Sequence, residues 1–174
     1  MRLTANTNDT YFVTLTVIYW IDIFTRLNYK DLIIDNLEYC RKEKGLNIYS
    51  FVIMSNHIHL ICRSEKNTLS SILRDFKTFT SKELYKAIKN NTQESRKDWI
   101  IKMLDNAGSK NILNKNHQFW QNNNQPILIS KTSQFLVKQN YIHQNPVQAG
   151  IVTNDYNYLY SSASENSPLK VDEF

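Results

Sequence analysis

The sequence contains few cysteines and lacks a long uninterrupted apolar run. Only Cys40 and Cys62 are present among 174 residues. Their spacing matches neither a disulfide framework nor a Cys-x-x-Cys site, so a reducing compartment fits best. Residues 11–24 are rich in apolar side chains, but two threonines and an aspartate interrupt them, and the stretch is too short to cross a bilayer. We therefore expect no signal peptide, no membrane anchor and a cytoplasmic location.

Length and composition favour one globular domain with a basic surface. Hydrophobic residues make up 41% of the chain and aromatic residues 12%, which is enough for one core, so we expect a single domain over residues 1–174. Within it we expect flexible tails at residues 1–10 and 165–174 and an insert at residues 94–118. The net charge of +5 favours a polyanionic partner, although many basic proteins bind no nucleic acid.

Hydrophobic periodicity predicts strands and helices in the order β-α-β-β-α-insert-β-α. The predicted strands are 11–17, 48–54, 58–63 and 127–130, and the predicted helices are 28–44, 68–89, 95–107 within the insert, and a last helix from Ser130 or Thr132 to Asn145. This order predicts an α+β fold of the ferredoxin-like type, in which a split βαβ antiparallel sheet has its helices mainly on one face.

Capping residues set the expected helix boundaries. Asn28 can cap the first helix, Gly45 can end it, and Thr68 can cap the second helix. The last helix should end near Asn145, because Pro146 follows and proline does not fit a helix interior. Strand 48–54 is apolar on both faces, as a central strand would be.

The stretch Met54-Ser55-Asn56-His57-Ile58-His59-Leu60 holds two metal-binding side chains together. Alternate side chains of a strand share a face, so His57 and His59 should project from the same face about 7 Å apart, opposite the core. A bare His-x-His can equally be two histidines on a half-exposed strand, and a lone pair binds metal weakly. An oxygen ligand from elsewhere would make the site suitable for Mg²⁺ or Mn²⁺.

Tyr141 falls on the polar side of the last predicted helix, which it shares with Lys138 and Asn145. The core stripe of that helix is predicted to contain Phe135, Leu136, Gln139, Ile142 and His143. Tyr141 can simply be a partly exposed tyrosine that covers the sheet edge. Together with the histidine pair it becomes a candidate nucleophile for attack on a phosphodiester.

Two further groups of residues could contact a nucleic acid. The basic residues of the second helix, Lys77 among them, are most simply a solvated face. Phe119 and Trp120 lie in an Asn-rich stretch, residues 109–125. They can either stack on bases or anchor a long loop to the core.

Several motifs, taken in order, closely resemble those of the REP-associated tyrosine transposases, which belong to the HUH (His-hydrophobe-His) single-tyrosine transposases. The motifs are Tyr11-Phe12-Val13-Thr14-Leu15-Thr16, the stretch 54–60, Phe119-Trp120, Tyr141-Ile142-His143-Gln144-Asn145-Pro146-Val147-Gln148-Ala149-Gly150-Ile151-Val152, and Tyr158-Leu159-Tyr160-Ser161-Ser162. Each motif alone is weak, but their combination in one order is specific. The insert at residues 94–118 departs from the family pattern.

The resemblance implies a HUH endonuclease fold acting on single-stranded DNA, often beside a hairpin. It implies Mg²⁺ or Mn²⁺ on His57 and His59, with Asn145 as a polar ligand, and Tyr141 as the nucleophile. The attack would leave the tyrosine on the 5′ phosphate and free a 3′ hydroxyl, so that DNA is cut and rejoined without ATP. The candidate DNA contacts are Lys138, Arg63, Lys77, Phe119 and Trp120. Both a monomer and a homodimer that exchanges its last helix remain compatible with the sequence.

A rival interpretation is a binding module without catalysis. Ferredoxin-like sheets also form RNA-recognition domains, in which aromatic residues on the strands stack bases without cutting them. Phe12 and Phe51 could play that part in this chain.

Overall fold

The structure, a computed structural model, describes residues 8–111, 116–122 and 125–174. Most of the N-terminal segment predicted to be flexible, and residues 112–115 of the insert, lie outside these ranges. The described residues form four strands and four α-helices in the predicted order. These are β1 (Thr10–Thr16), α1 (Leu27–Lys44), β2 (Leu46–Ile53), β3 (His57–Ser64), α2 (Leu69–Asn90), α3 (Lys97–Ser109), β4 (Ile127–Ile129) and α4 (Thr132–Gln148).

The four strands form one sheet in the order β2-β3-β1-β4. Every pair of neighbours is antiparallel, and β3 lies between the two strands that α1 connects. This is the split βαβ arrangement of a ferredoxin-like sheet. The predicted α+β fold class is therefore confirmed.

The two faces of the sheet are covered by different helices. Ile58, Leu60 and Cys62 of β3 are fully buried on one face, on the side of α1 and α2, which pack against each other. His57 and His59 point to the opposite face by strand alternation. That face is crossed by α4, which packs on β2, β3 and β4. The last helix thus returns across the sheet to the face that carries the histidines.

Strand β2 lies at the edge of the sheet, so the prediction of a central strand is wrong. It is apolar on both faces because helices cover both sides, and its outer edge is covered by the C-terminal segment. Val52 forms a β-bridge with Ser161, and the Ile53 amide donates to the Tyr160 carbonyl. Backbone groups that an edge strand would otherwise expose are therefore paired within the chain.

Among the predicted helix caps, Thr68 and Gly45 are observed and Asn28 is not. Thr68 caps α2 by accepting a hydrogen bond from the Ser71 amide, and Gly45 ends α1 in a left-handed conformation with φ of 69°. Asn28 is not a cap: α1 begins one residue earlier, after Arg26, without a side-chain cap.

Helix α4 runs through Pro146 to Gln148, so its predicted end near Asn145 is wrong. A proline in the last turn of a helix removes a single intrahelical hydrogen bond. The Pro146 ring is buried in the protein interior. Phe135 and Ile142 are buried as predicted, whereas Leu136, expected in the core stripe, is 56% exposed.

The segment 165–174 is packed on the domain, against the prediction of a flexible tail. Leu169 is buried, and the carboxylate of Asp172 accepts hydrogen bonds from Arg41 and from the Ile48 amide. The Phe174 ring stacks on Phe135, with ring centroids 4.0 Å apart. The C-terminus therefore braces the first turn of α4.

The insert is anchored at its start by a buried carboxylate. Glu94 accepts from Arg26 at 2.6 Å and from Arg96 at 3.2 Å. Gly108 falls inside α3, not after it, and a Cβ there would lie 2.5 Å from the Cα of His117. Close approach of two backbones therefore explains this glycine, which lies just beyond the predicted helix 95–107.

Both cysteines are buried and unpaired. Among the described helices, none combines the length and apolarity needed to cross a membrane.

Candidate active site

His57 and His59 lie side by side at the start of β3, with ring centroids 4.7 Å apart. The turn Ser55-Asn56 brings the chain directly from β2 into β3 and so places His57 at the rim of the sheet. His59, two residues further in, is 5% exposed because α4 covers it. The pair thus combines one partly accessible imidazole with one buried imidazole.

Each imidazole is held through its Nδ1 atom. His57 Nδ1 lies 2.7 Å from Asn56 Oδ1, and His59 Nδ1 lies 2.9 Å from Thr14 Oγ1. An amide oxygen only accepts, and a hydroxyl can accept, so both Nδ1 atoms can carry the proton. This tautomer leaves a lone pair on each Nε2, which is the form in which an imidazole binds a metal.

Burial keeps both imidazoles neutral. It lowers the pKa of His57, an effect that a hydrogen bond with the side chain of Asn145 opposes. Burial, with smaller contributions from the nearby His57 and Lys138, lowers the pKa of His59 to about 3. At neutral pH neither ring has to lose a proton before it can act as a ligand.

Tyr141 of α4 lies directly against this pair. Its ring centroid is 5.2 Å from that of His59 and 6.0 Å from that of Phe12. The side chain remains 42% exposed, so a substrate can reach it. Lys138, one turn earlier on α4, places its ammonium 5.8 Å from the Tyr141 ring centroid and 4.6 Å from that of Phe12.

A second polar cluster holds α4 on the side opposite Tyr141. His143 Nε2 lies 2.9 Å from Ser162 Oγ and 3.3 Å from Ser50 Oγ, and the two hydroxyls are 3.0 Å apart. We name Ser50, His143 and Ser162 the hydroxyl clamp. It joins α4 to β2 and to the C-terminal segment, two residues after Tyr141.

A β-bulge in β2 explains how Ser50 reaches the clamp. The register with β3 shifts between Ile48 and Ser50, which leaves Tyr49 as the additional residue. Both Tyr49 and Ser50 then contact α4: Tyr49 packs on Phe135 with ring centroids 6.4 Å apart, and Ser50 meets His143. A bulge re-aims side chains in this way.

The residues predicted for the site are brought together only in part. His57, His59, Tyr141, Asn145 and Lys138 converge at the start of β3. Arg63 does not join them. It lies at the far end of the same strand, about 20 Å away at 3.3 Å per residue, and pairs with Glu65.

Lys77, Phe119 and Trp120 have structural contacts. Lys77 donates to the Gln121 carbonyl at 2.7 Å, and burial lowers its pKa to about 8. Phe119 and Trp120 are 1% and 3% exposed. The Trp120 indole donates to Thr80 Oγ1. Prediction of the two aromatic residues as base-stacking DNA contacts is therefore wrong, and the alternative of core anchors is confirmed.

The sequence interpretation missed the residues that orient the histidines and the helix. Thr14 and Asn56 hold the imidazoles, and Ser50 and Ser162 hold His143. Asn56 directly precedes His57, which is a usable signal for a partner of that ring. The clamp had no comparable signal, because its members come from three distant segments.

These residues fit a divalent cation. His59 Nε2 is buried and has no hydrogen-bond partner among the described residues, although it can accept one. The described part of the chain contains no cluster of three or more His, Cys, Asp or Glu side chains suited to a metal. Asn145, whose side chain hydrogen-bonds with His57, offers an amide oxygen beside the pair.

The family model for IS200-like transposases matches residues 7–103, more than half of the chain. This match contains both histidines and ends before α4. No curated protein matches the chain.

Two solved structures are similar to this fold. One is a REP-associated tyrosine transposase bound to a REP hairpin, with 16% identity and a TM-score of 0.64 over 93% of this chain and 81% of the other. The second is described as a candidate transposase from Deinococcus radiodurans R1, with 12% identity and a TM-score of 0.44 over 76% of this chain and 87% of the other. The first likeness extends the common fold beyond the matched family segment to α4. By the family match over most of its sheet and both histidines, the chain belongs to the IS200-like transposase family.

Proposed function

We propose that this transposase cuts and rejoins single-stranded DNA, with Tyr141 as the nucleophile. The observation that carries the proposal is the contact between Tyr141 and His59, whose ring centroids are 5.2 Å apart within one chain. The phenol is partly exposed, whereas the imidazole behind it is buried and neutral. A phosphodiester bound at the solvent-facing rim of the histidine pair can therefore be reached by the phenol.

The proposed reaction is a transesterification. The Tyr141 oxygen attacks phosphorus, the bond from phosphorus to the 3′ oxygen breaks, and the phenolic proton is balanced by protonation of the leaving 3′ oxygen. The product is a 5′-phosphotyrosine and a free 3′ hydroxyl. Because one phosphoester replaces another, a 3′ hydroxyl can reverse the step and join strands without ATP.

His57, His59 and Asn145 would hold Mg²⁺ or Mn²⁺. Such an ion, when bound, withdraws charge from the phosphodiester and stabilises the leaving oxygen. The chain's own contribution is orientation: Asn56 and Thr14 fix the imidazole rings, and the hydroxyl clamp fixes the helix that carries Tyr141.

The proposed substrate is single-stranded DNA beside a hairpin. The similar solved transposase is bound to a REP hairpin, and the net charge of +5 favours a polyanion. Lys138 is the best-placed cation, since it lies next to Tyr141. Arg63 and Lys77 would contact DNA only away from the reacting phosphate. Contact between α4 and the histidines within one chain supports a monomer that acts in cis.

Burial of the aromatic side chains on the strands argues against the non-catalytic alternative. An RNA-recognition sheet needs rings that are open to bases. Phe12 is 5% exposed and Phe51 is fully buried. Neither ring can stack on a base while α4 and the core cover them.

The test uses a library of hairpin oligonucleotides with randomised single-stranded flanks, incubated with the protein and Mn²⁺. On a denaturing gel, 3′ label should migrate with the wild-type protein and 5′ label should leave as a shorter free fragment. Tyr141→Phe should give neither product while it retains the library in a native gel. Protein-bound 5′ label would contradict the proposed polarity, and a wild-type protein that only binds would favour the binding module.

A further inference from the structure

The turn after β1 presents two aromatic side chains in an unusual backbone conformation. Tyr19 and Trp20 have φ angles of 55° and 56°, within a short 3-10 turn, Ile18–Trp20. Bulky residues adopt positive φ rarely, because the side chain meets its own backbone. Two such residues in succession destabilise the fold. A chain keeps this strained conformation where the side chains have a use.

Both rings are open to solvent. Tyr19 is 45% exposed and Trp20 is 58% exposed, so core packing does not account for them. The burial of Phe119 and Trp120 in the same protein provides the contrast. Exposed aromatic pairs at a strained turn are typical of a binding surface.

The turn is held against His57. The Trp20 ring meets the His57 ring edge to face, with centroids 6.0 Å apart. Asn56, which also holds His57, donates to the Trp20 carbonyl at 3.3 Å and to Asp22 at 3.1 Å. The Ser55 hydroxyl donates to Asp22 at 2.6 Å. The same short turn therefore positions the imidazole and the exposed indole.

We propose that Trp20, supported by Tyr19, is a stacking platform for an unpaired nucleobase next to the phosphodiester that Tyr141 attacks. The site deepens the proposed function and rests on it. A single strand whose phosphate lies at the histidine pair carries its adjacent base past His57, where the indole offers a free aromatic face. Every base has a π-face, so the platform binds without reading sequence.

Asparagine substitutions separate binding from folding at this turn. Asparagine accepts positive φ more readily than tryptophan or tyrosine, so Trp20→Asn and Tyr19→Asn should fold with a Tm at or above that of the wild type. Affinity for a fluorescein-labelled oligothymidylate, measured by anisotropy, should fall roughly 5- to 150-fold for Trp20→Asn, the range expected for one stacked base. Trp20→Phe should restore most of that affinity.

Trp99→Ala is the matched control, since this tryptophan is 50% exposed on the inserted helix α3. Its affinity should equal that of the wild type. In a Trp99→Phe background the remaining tryptophans are Trp20 and the buried Trp120. Added oligothymidylate should then quench the emission, and Trp20→Phe in that background should remove the quenching.

The outcomes distinguish this proposal from the nuclease assignment. Quenching at Trp20 in a Tyr141→Phe protein supports the platform whether or not an adduct forms in the wild type. Unchanged oligothymidylate affinity in a folded Trp20→Asn variant overturns the platform while leaving the nuclease assignment intact. A Trp20→Asn variant with lower Tm and wild-type affinity would show instead that the indole only stabilises the turn.

Discussion

The rings of His59 on β3 and Tyr141 on α4 pack within one chain, with centroids 5.2 Å apart, and Phe12 of β1 contacts both. The tyrosine-bearing helix is therefore seated on the histidines of its own sheet. Three contacts hold it there: Phe135 with Tyr49 and Phe174 at its start, Ile142 in the core, and the hydroxyl clamp. Tyr141 and His59 therefore meet without a contribution from a second chain.

Mixing inactive variants tests this cis arrangement. Tyr141→Phe keeps the histidines, and His57→Gln keeps the tyrosine. If each active site uses one chain, the mixture should form no more adduct than either variant alone. Recovery of about a quarter to a half of wild-type adduct would reveal exchange of α4 between two chains, as in domain swapping.

Removal of the Thr14 hydroxyl should weaken metal binding without removing a ligand. Thr14→Val preserves shape but leaves His59 Nδ1 without its 2.9 Å partner. Loss of such an orienting contact typically lowers metal affinity roughly 10- to 100-fold. Calorimetric titration with Mn²⁺ should show that loss for Thr14→Val and no measurable binding for His57→Gln. Equal affinity in all three proteins would contradict the metal site.

The hydroxyl clamp should affect the rate of cleavage more than DNA binding. Ser162→Ala removes a 2.9 Å partner of His143 and frees α4 on the side opposite Tyr141. Loss of about 1 kcal/mol of positioning corresponds to a cleavage rate roughly 5- to 10-fold lower. KM for a cleaved hairpin should stay constant, and Ser162→Thr should recover much of the rate. An effect on KM alone would assign the clamp to substrate binding.

Glu94 should make stability depend on acid pH. Burial alone would raise its pKa, but hydrogen bonds from Arg26 and Arg96 outweigh burial and leave the pKa at about 2. An unfolded glutamate has a pKa of about 4.3, so the unfolded chain binds the proton first as pH falls. The carboxylate therefore contributes stability above pH 4.3 that is lost between about pH 4 and 2.

Denaturant unfolding of wild type and Glu94→Gln measures this contribution. The variant should be less stable at pH 7 by an amount on the order of 2–3 kcal/mol, and the difference should shrink toward pH 3. Glu83→Gln, on α2, provides a control without such a contact to Arg26 or Arg96. A difference that is the same at both pH values would contradict the role of the two arginines.

Local signals in the sequence predict much of the sheet side of the site. Alternation in β3 places His57 and His59 on one face, and the periodicity of α4 places Tyr141 away from the core stripe. Thr68 and Gly45 act as the caps that their residue types indicate. Each of these features depends on neighbours a few residues away.

Features that depend on contacts between distant segments could not be predicted in this way. The bulge at Tyr49 turns Ser50 toward α4, and the C-terminal segment braces Phe135 through Phe174. Trp20 lies in the apolar-rich stretch 11–24, yet its side chain is 58% exposed and its φ is positive. Pro146 would end an isolated helix, but burial of its ring compensates for the lost hydrogen bond.

Mass spectrometry of the trapped protein–DNA adduct tests the central claim most directly. After nuclease treatment and proteolysis, the nucleotide should be found on the peptide that contains Tyr141, linked through a 5′ phosphate. Tyr156, which is 59% exposed, should be unmodified, and Tyr156→Phe should form adduct at the wild-type level. A nucleotide on any other residue, or an adduct that persists in Tyr141→Phe, would contradict the assignment of Tyr141 as the nucleophile.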